Sequence, residues 1–315
     1  MSPPRIPRVD DLVNVLELEE VAKITLPAAV YATIAGSERA AFDRMTLRPR
    51  MNVPTLDLDL SIEILGEPHF APILVGPVAD QRRYHAEGEL ATVRGASAAK
   101  AAVILSAGSS VPIAEVAAQA RTPLWCAVYA DESDAPKQIQ QAVAAGCQAI
   151  CITSGAFRDG RPPAAARVDW NAIDRIRRRL SVPIVIKGVM TTDDATRAVE
   201  EGVPAIIVSS HGTTAAGAPA AIEVLPSIVD VVGPKGAVLI DGSFRRGSDI
   251  VKALALGARA VLLARPVMWG LAGYGAAGVQ SVVEMLQSDL GRHMGAMGAV
   301  NLKNLTRDAV RIHRR

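Results

Sequence analysis

The stretch IVIKGVMTTDDATRAVEEGVPAIIVSSHG, residues 184–212, holds the fold in miniature. It opens on Ile184, Val185 and Ile186, a short apolar run that ends in Lys187. It closes on a second run, Ala205–Ser209, followed at once by His211. Between the runs, Thr191-Thr-Asp-Asp is a helix amino-terminal cap with acids in the first turn, where the helix dipole favours them. Gly202 stands where a helix ends in a left-handed residue. A continuously apolar strand, a capped helix and a second such strand form the repeating unit of a parallel sheet covered on both faces.

The same unit recurs along the chain. Runs of strand type lie at Ile73–Gly76, Val103–Ser106, Leu124–Tyr129, Ala149–Thr153, Ile184–Lys187, Ala205–Ser209, Val238–Asp241 and Val261–Ala264. Helical stretches alternate with them at Glu87–Lys100, Ile113–Gln119, Ala135–Ala145, Asn171–Leu180, Thr192–Glu201, Ala220–Val232, Asp249–Leu256 and in a tail after Val267. Gly146 and Gly257 end two more helices. This alternation predicts an α/β fold, a (β/α)8 TIM barrel. A doubly wound open sheet would bring a Gly-rich first turn, and no G-x-G-x-x-G follows the first strand. Residues 1–72 predict two helices, near Val9–Glu20 and Leu26–Phe42, and a Pro-containing lead-in. They are expected to cap a barrel of residues 73–315 rather than to form a separate domain.

Composition narrows the function. The chain has 315 residues, 50% of them apolar and 21% charged, which excludes a disordered protein. Aromatics are 3%, so Ala, Val, Leu and Ile must fill the core. The formal charge of +2, with no basic cluster interleaved with aromatics, argues against nucleic acid as a partner. Cys126, Cys147 and Cys151 form no C-x-x-C pair and read as buried thiols. No run approaches the ~18 apolar residues of a membrane span, and the amino terminus lacks a secretory h-region. A cytoplasmic protein with no membrane association is expected.

A barrel assembles its site at the carboxyl ends of its strands. Those ends carry Gly76-Pro-Val-Ala79, Ser106, Tyr129, Thr153, Lys187-Gly188, Ser209-Ser-His211-Gly212, Asp241-Gly-Ser-Phe-Arg245 and Ala264-Arg265-Pro266. Loops after strands seven and eight often hold a phosphate, and Asp241–Arg245 with Ala264 and Arg265 supply small residues and cations there. Lys187, at the barrel mouth, can serve a developing anion or form a Schiff base. His211 has the chemistry of a general base near neutrality. No His/Asp/Glu spacing suggests a metal.

These residues resemble the FMN-dependent α-hydroxy acid oxidase and dehydrogenase family, the glycolate oxidase-like flavin barrels. The likeness runs from about Val30 to Arg311. It rests on Leu47-Arg-Pro-Arg50, Glu87-Gly-Glu-Leu-Ala-Thr92, Ile186-Lys-Gly-Val189, Val208-Ser-Ser-His-Gly212, Asp241-Gly-Ser-Phe-Arg-Arg-Gly-Ser-Asp249 and Lys252-Ala-Leu-Ala-Leu-Gly-Ala258. The resemblance implies a flavoprotein oxidoreductase with FMN as cofactor. Pro77, Val78 and Ala79 would lie along the flavin ring, and Ser106, Thr153 and Ser209 would hydrogen-bond it. Lys187 would stabilise charge on the reduced ring. Asp241, Gly242, Ser243, Phe244, Arg245, Ala264 and Arg265 would hold the ribityl phosphate. His211 would be the base and Tyr129 would contact the substrate hydroxyl. A homo-oligomer is also implied.

The departures from the family pattern concern the substrate. Thr214 stands where the family has a carboxylate-binding arginine, and Pro162 follows Gly160-Arg161 where a second is usual. The amino-terminal Tyr-Tyr pair reads Val30-Tyr31, a strand-three Gln is Ala127, and the Asp that orients the base is Gly155. The loop after strand four is cut to Ser154–Asp169. A bidentate arginine–carboxylate pair is a strong, geometrically specific contact. Its loss points away from glycolate or lactate and toward a larger or carboxylate-masked substrate, a thioester, an amide or a carrier-tethered acyl group. Arg161, Arg158, Arg82 and Arg83 are candidates for a replacement cation. Two other readings stay open at this point: a flavin-binding scaffold without redox turnover, and a phosphate-binding barrel with a Schiff-base lysine.

Overall fold

The computed structural model of the chain describes residues 6–36, 39–50, 57–129, 133–153, 170–178, 180–212 and 218–313. The amino-terminal part contains α1 (Val15–Thr25), α2 (Ala28–Tyr31), α3 (Ala40–Asp43), β1 (Met45–Leu47), β2 (Ile62–Ile64) and β3 (Glu67–His69). The alternating part begins with β4 (Ile73–Val75), α4 (Glu89–Ala98), β5 (Val103–Ser106), α5 (Ile113–Gln119), β6 (Leu124–Tyr129), α6 (Ala135–Ala144), β7 (Ala149–Thr153) and α7 (Trp170–Arg177). It continues with β8 (Ile184–Val189), α8 (Thr192–Glu200), β9 (Ala205–Val208), α9 (Ala221–Val232), β10 (Ala237–Asp241), α10 (Gly247–Ala255), β11 (Ala260–Leu263) and α11 (Arg265–Ala296). The last strand is β12 (Val310–Ile312).

Strands β4 to β11 pair in parallel in chain order and close, β11 onto β4, into an eight-stranded barrel. The two faces of each strand divide the core into two sets. Leu74, Ile104, Trp125, Ala127, Ala149, Cys151, Val185, Ile207, Leu239 and Leu262 fill the barrel interior. Their strand neighbours Val103, Leu105, Cys126, Val128, Ile150, Ile152, Ile184, Ile186, Ile206, Ile240 and Leu263 pack outward under the helices. Because side chains alternate with period two, each inward series can be followed to the carboxyl rim. Ile104 leads to Ser106, Ala127 to Tyr129, Cys151 to Thr153, Val185 to Lys187, Ile207 to Ser209 and Leu239 to Asp241. Strand register alone therefore aims six polar side chains into the barrel mouth.

The opposite mouth is closed by the β2–β3 hairpin, whose turn at Leu65 (φ 55°) and Gly66 (φ 83°) has the two positive φ values of a type I′ turn. Ile64 reaches the interior set, and His69, 6% exposed, stands edge-on to Trp125 at 6.5 Å. β1 and β12 pair antiparallel, which joins the amino-terminal segment to the carboxyl end. α1 begins at Asn14, whose side chain accepts from the Leu16 and Glu17 amides, and buries Val15, Leu18, Val21 and Ala22. The three cysteines are buried and free, as expected, and burial pushes each thiol up to about 12. No helix among the described residues is long and apolar enough to cross a membrane.

The amino-terminal helices differ from the expectation. The first starts at Val15, not Val9, with a 3₁₀ turn at Val9–Asp11 before it. The expected helix Leu26–Phe42 is broken into α2 and α3. Pro27 precedes α2, and beyond it tertiary donors take the carbonyls that a helix would use. Trp269 Nε1 donates to Ile34 O at 2.8 Å, and Arg265 Nη1 donates to Ala35 O at 3.3 Å. Residues 32–36 thus lie over the barrel mouth as an irregular strap.

Candidate active site

The rim residues enclose a cleft of about 530 Å³, within the usual range for a small-molecule or cofactor site. Pro77, Val78, Ala79, Ser106, Tyr129, Thr153, Lys187, His211, Asp241, Gly242, Ser243, Phe244, Arg245, Ala264 and Arg265 all line it. Ser209 lies directly beneath, 1% exposed. Arg161 falls outside the described residues. Arg82 and Arg83 are exposed and are not among the described residues that line the cleft. The strap residues Ala32–Gly36 and Tyr84 also line the site. Sequence reading missed both: the strap looks like amphipathic helix, and nothing local marks Tyr84.

The ionisable centre is compact. Lys187 Nζ lies 3.0 Å from Asp241 Oδ2, 2.8 Å from Ser209 Oγ and 3.2 Å from His211 Nδ1. Ser209 Oγ donates to Asp241 Oδ2 at 2.7 Å and accepts the His211 amide at 3.1 Å. That hydroxyl therefore donates once and accepts twice, its full capacity. With Lys187 donating to Nδ1, a neutral His211 ring carries its hydrogen on Nε2. His211 (φ 55°) and Gly212 (φ 73°) are both left-handed, the sharp bend that turns the ring back over the barrel. Asp241 Oδ1 is buried with no partner among the described residues.

The second centre is cationic. The Arg245 guanidinium is 4.4 Å from the Trp269 ring centroid, and its Nη1 donates to Phe244 O at 2.8 Å. Its Nη2 is buried without a partner among the described residues. Burial, with Arg265 nearby, pushes Arg245 down to about 9, and burial lowers Arg265 as well. Two neighbouring cations, Arg265 half-buried and Arg245 buried with an unused donor, call for an anion. Phe244 is 1% exposed and packs edge-on against Phe42 at 5.3 Å, so it shapes the loop from below. The loop itself is pinned by buried Asp249, which accepts the Arg245 and Arg246 amides at 3.0 and 2.9 Å. Arg39 ties Ser243 O (2.6 Å) to Asp249 (2.9 Å).

These groups suit FMN. The orphaned Arg245 donor and Arg265 match a phosphate, the orphaned Asp241 Oδ1 matches sugar-alcohol hydroxyls, and residues 77–79 wall one side of the cleft. A (β/α)8 barrel with this cation pair and this Lys–Asp–Ser–His cluster defines the class of a flavin-dependent oxidoreductase.

The comparisons with known proteins place it further. The FMN-dependent dehydrogenase family matches residues 28–167 and 155–312, and the chain belongs to that family. It is 36% identical to L-lactate oxidase of Nostoc sp. over 351 aligned positions, covering 93% of this chain and 96% of the relative. It is 35% identical to human 2-hydroxyacid oxidase 1, covering 95% and 96%. A mandelate oxidase structure with (S)-2-phenylpropionate superposes with a TM-score of 0.88 at 33% identity, covering 96% of this chain and all of the other. A second mandelate oxidase structure, with an arginine replaced by leucine and 2-hydroxy-phenylacetamide bound, gives the same TM-score and identity. The chain is an enzyme of the FMN-dependent 2-hydroxy acid oxidase family and its cofactor is FMN. The Schiff-base barrel and the scaffold without turnover are thereby set aside.

Proposed function

We propose that this oxidoreductase acts on a 2-hydroxy acyl compound whose carboxylate is masked as an amide, thioester or carrier-bound ester, rather than on glycolate or lactate. One observation carries the reading. Among the described residues the cations lining the cleft are Lys187, Arg245 and Arg265. A bound FMN phosphate, near −2 in charge, would take both arginines, and Lys187 is already paired with Asp241. No cation of the described cleft is then left for a substrate carboxylate. Thr214 and Pro162, at the family's arginine positions, agree with this, though both lie outside the described residues. The mandelate oxidase variant that lacks an arginine and holds a 2-hydroxy amide supports it by analogy.

When bound, FMN supplies the two-electron acceptor. The chain supplies the proton chemistry and the positioning. His211 takes a substrate proton, for which Nε2 must present its lone pair, so Lys187 must leave Nδ1 free to carry the ring hydrogen. Lys187, held by Asp241 and Ser209, then provides a positive charge in a water-poor site, where it acts more strongly than in bulk. Tyr129 orients the reacting hydroxyl. Ser106 and Thr153 offer hydrogen bonds to the ring. The reading also includes a cytoplasmic homo-oligomer. Free buried cysteines support a reducing compartment, and exposed Val13, Leu16 and Ile24 support association.

The test is anaerobic bleaching of the FMN-loaded protein. 2-Hydroxy-phenylacetamide or a lactoyl thioester should bleach the flavin band at least tenfold faster than mandelate or lactate. Faster reduction by the free acids would overturn the masked-substrate reading. His211→Ala should retain FMN and lose reduction by every substrate. Retained activity would remove His211 as the base.

A further inference from the structure

Behind the wall at residues 77–79 lies a buried polar network that the chemistry above does not use. Gln81 is 3% exposed, Thr92 1% and Glu89 1%. Gln81 Nε2 donates to Val78 O at 3.1 Å, and Gln81 Oε1 accepts from Thr92 Oγ1 at 2.6 Å. The orientation of the amide is settled, because reversing it would set its oxygen against the Val78 carbonyl. Glu89 anchors the other side. Its Oε1 accepts the Gln81 amide (3.1 Å) and the Ser110 amide (2.9 Å), and its Oε2 accepts the Ser110 hydroxyl (2.6 Å). Among the described residues no cation pairs with Glu89, which opens α4 and so faces the favourable end of the helix dipole. The Asp80 amide donates to Gly108 O at 2.9 Å, a further tie between the loops after β4 and β5.

In a trans peptide the C=O of one residue and the N–H of the next point in opposite directions. Gln81 draws the Val78 carbonyl into the wall, so the Ala79 N–H is turned the other way. Ala79 is exposed and lines the cleft. Its N–H has no partner among the described residues. We infer that Gln81, braced by Thr92 and Glu89, is a positioning residue. It holds the 78–79 peptide so that the Ala79 N–H is presented to the FMN ring, and thereby tunes the affinity and reduction potential of the cofactor. This rests on the ring lying along residues 77–79.

Three variants of the full-length protein test it, read by FMN titration and by the reduction potential of bound FMN. Gln81→Met keeps the volume and removes the donor to Val78 O. FMN affinity should fall about 5-fold, the usual worth of one net hydrogen bond, and the potential should shift as the two redox forms lose the contact unequally. Gln81→Glu, which sets an acceptor against the carbonyl, should do more. Ser110→Ala weakens the same network without touching the Gln81–Val78 bond and should leave the potential unchanged. An equal potential shift in Ser110→Ala would reduce the effect to general loosening and overturn the proposal. Ala79→Pro removes the N–H itself and separates the two ways of failing. If it shifts the potential while Gln81→Met does not, the role of Gln81 is wrong and the ring placement stands. If neither moves it, the ring placement falls as well.

Discussion

Substituting Asp241 by Asn should destabilise the protein by several kcal/mol, and substituting its partner at the same time should restore most of the loss. The Lys187–Asp241 pair is short (3.0 Å), with side chains only 6% and 16% exposed, so solvent screens it little. At an effective dielectric near 20 the attraction is about 5 kcal/mol before the cost of desolvating both ions. Removing one partner leaves a buried charge, which typically costs about 3–5 kcal/mol. For a chain of this length, that is a fall in melting temperature of roughly 6–10 °C. Asp241→Asn also breaks the arrangement at Ser209, whose hydroxyl donates to the same oxygen. Replacing both ions by apolar groups removes attraction and desolvation together and is often close to neutral. Lys187→Met/Asp241→Leu should therefore melt within about 2–3 °C of the parent chain, above either single variant. The assay is thermal and urea unfolding of FMN-stripped protein for Asp241→Asn and for the cycle of parent, Lys187→Met, Asp241→Leu and the double variant. Single variants within 1 kcal/mol of the parent, or a double variant that loses the sum of the two, would refute a buried, coupled pair.

Three further outcomes follow from other sites. Burial holds His69 below its usual value, its buried Nε2 has no hydrogen-bond partner among the described residues, and Glu67 opposes the shift. The unfolded chain then binds the proton first, so stability is full above about pH 6.5 and falls as pH drops from there toward the lowered value. Urea midpoints should show that slope, and His69→Leu should lack it. The Arg245–Arg265 cation pair should bind inorganic pyrophosphate in the absence of FMN and raise the melting temperature. At 100 times the dissociation constant the gain is about 2.7 kcal/mol, and Arg245→Met should abolish it. α11 is two helical arms folded about Gly275 (φ 58°), and a Cβ on Gly270 would come within 2.3 Å of Gly278 O. Gly270→Ala should cost about 3 kcal/mol as overpacking, seen as a lower urea midpoint.

The barrel was legible because its strands obey two local rules at once. Continuous apolar runs such as Ile184–Ile186 and Ala205–Val208 mark parallel strands, and period two assigns each rim residue a direction without any tertiary knowledge. Lys187, Ser209, Asp241, Ser106, Tyr129 and Thr153 all reach the cleft or its floor for that reason. The helix ends were legible through chemistry as local as the strands: Thr191 accepts the Asp194 amide, and Gly146, Gly202 and Gly257 take the positive φ expected of them. The strap at residues 32–36 was not legible, because its helical pattern is overridden by donors more than two hundred positions away, Trp269 and Arg265. Tyr84 escaped for a related reason. It bonds Thr33 of that same strap at 3.1 Å, a contact with no sequence signature.

The strap and the rim differ in what they require of the chain, and this bears on specificity. A flavin shell built on strand ends is fixed by the register of the barrel and tolerates change elsewhere. The strap at residues 32–36 lines the same cleft but belongs to no strand, so no strand register constrains it. The alignment with the lactate oxidase spans 351 positions against a chain of 315, so that relative carries segments this one lacks. In the sequence, Pro162 and Thr214, where the family resemblance expects arginines, lie between strands, while Lys187 and Asp241 stand on strands and His211, Arg245 and Arg265 stand beside them. Under the proposed function, change has gathered where the barrel leaves the chain free. An arginine restored at position 214 alone should accordingly not recover lactate oxidation. The proposed specificity rests on more than one replaced position, and a lone exposed guanidinium gains little from a carboxylate in water. Lactate reduction of Thr214→Arg at rates comparable with the amide would show instead that the missing cation was the whole of the difference.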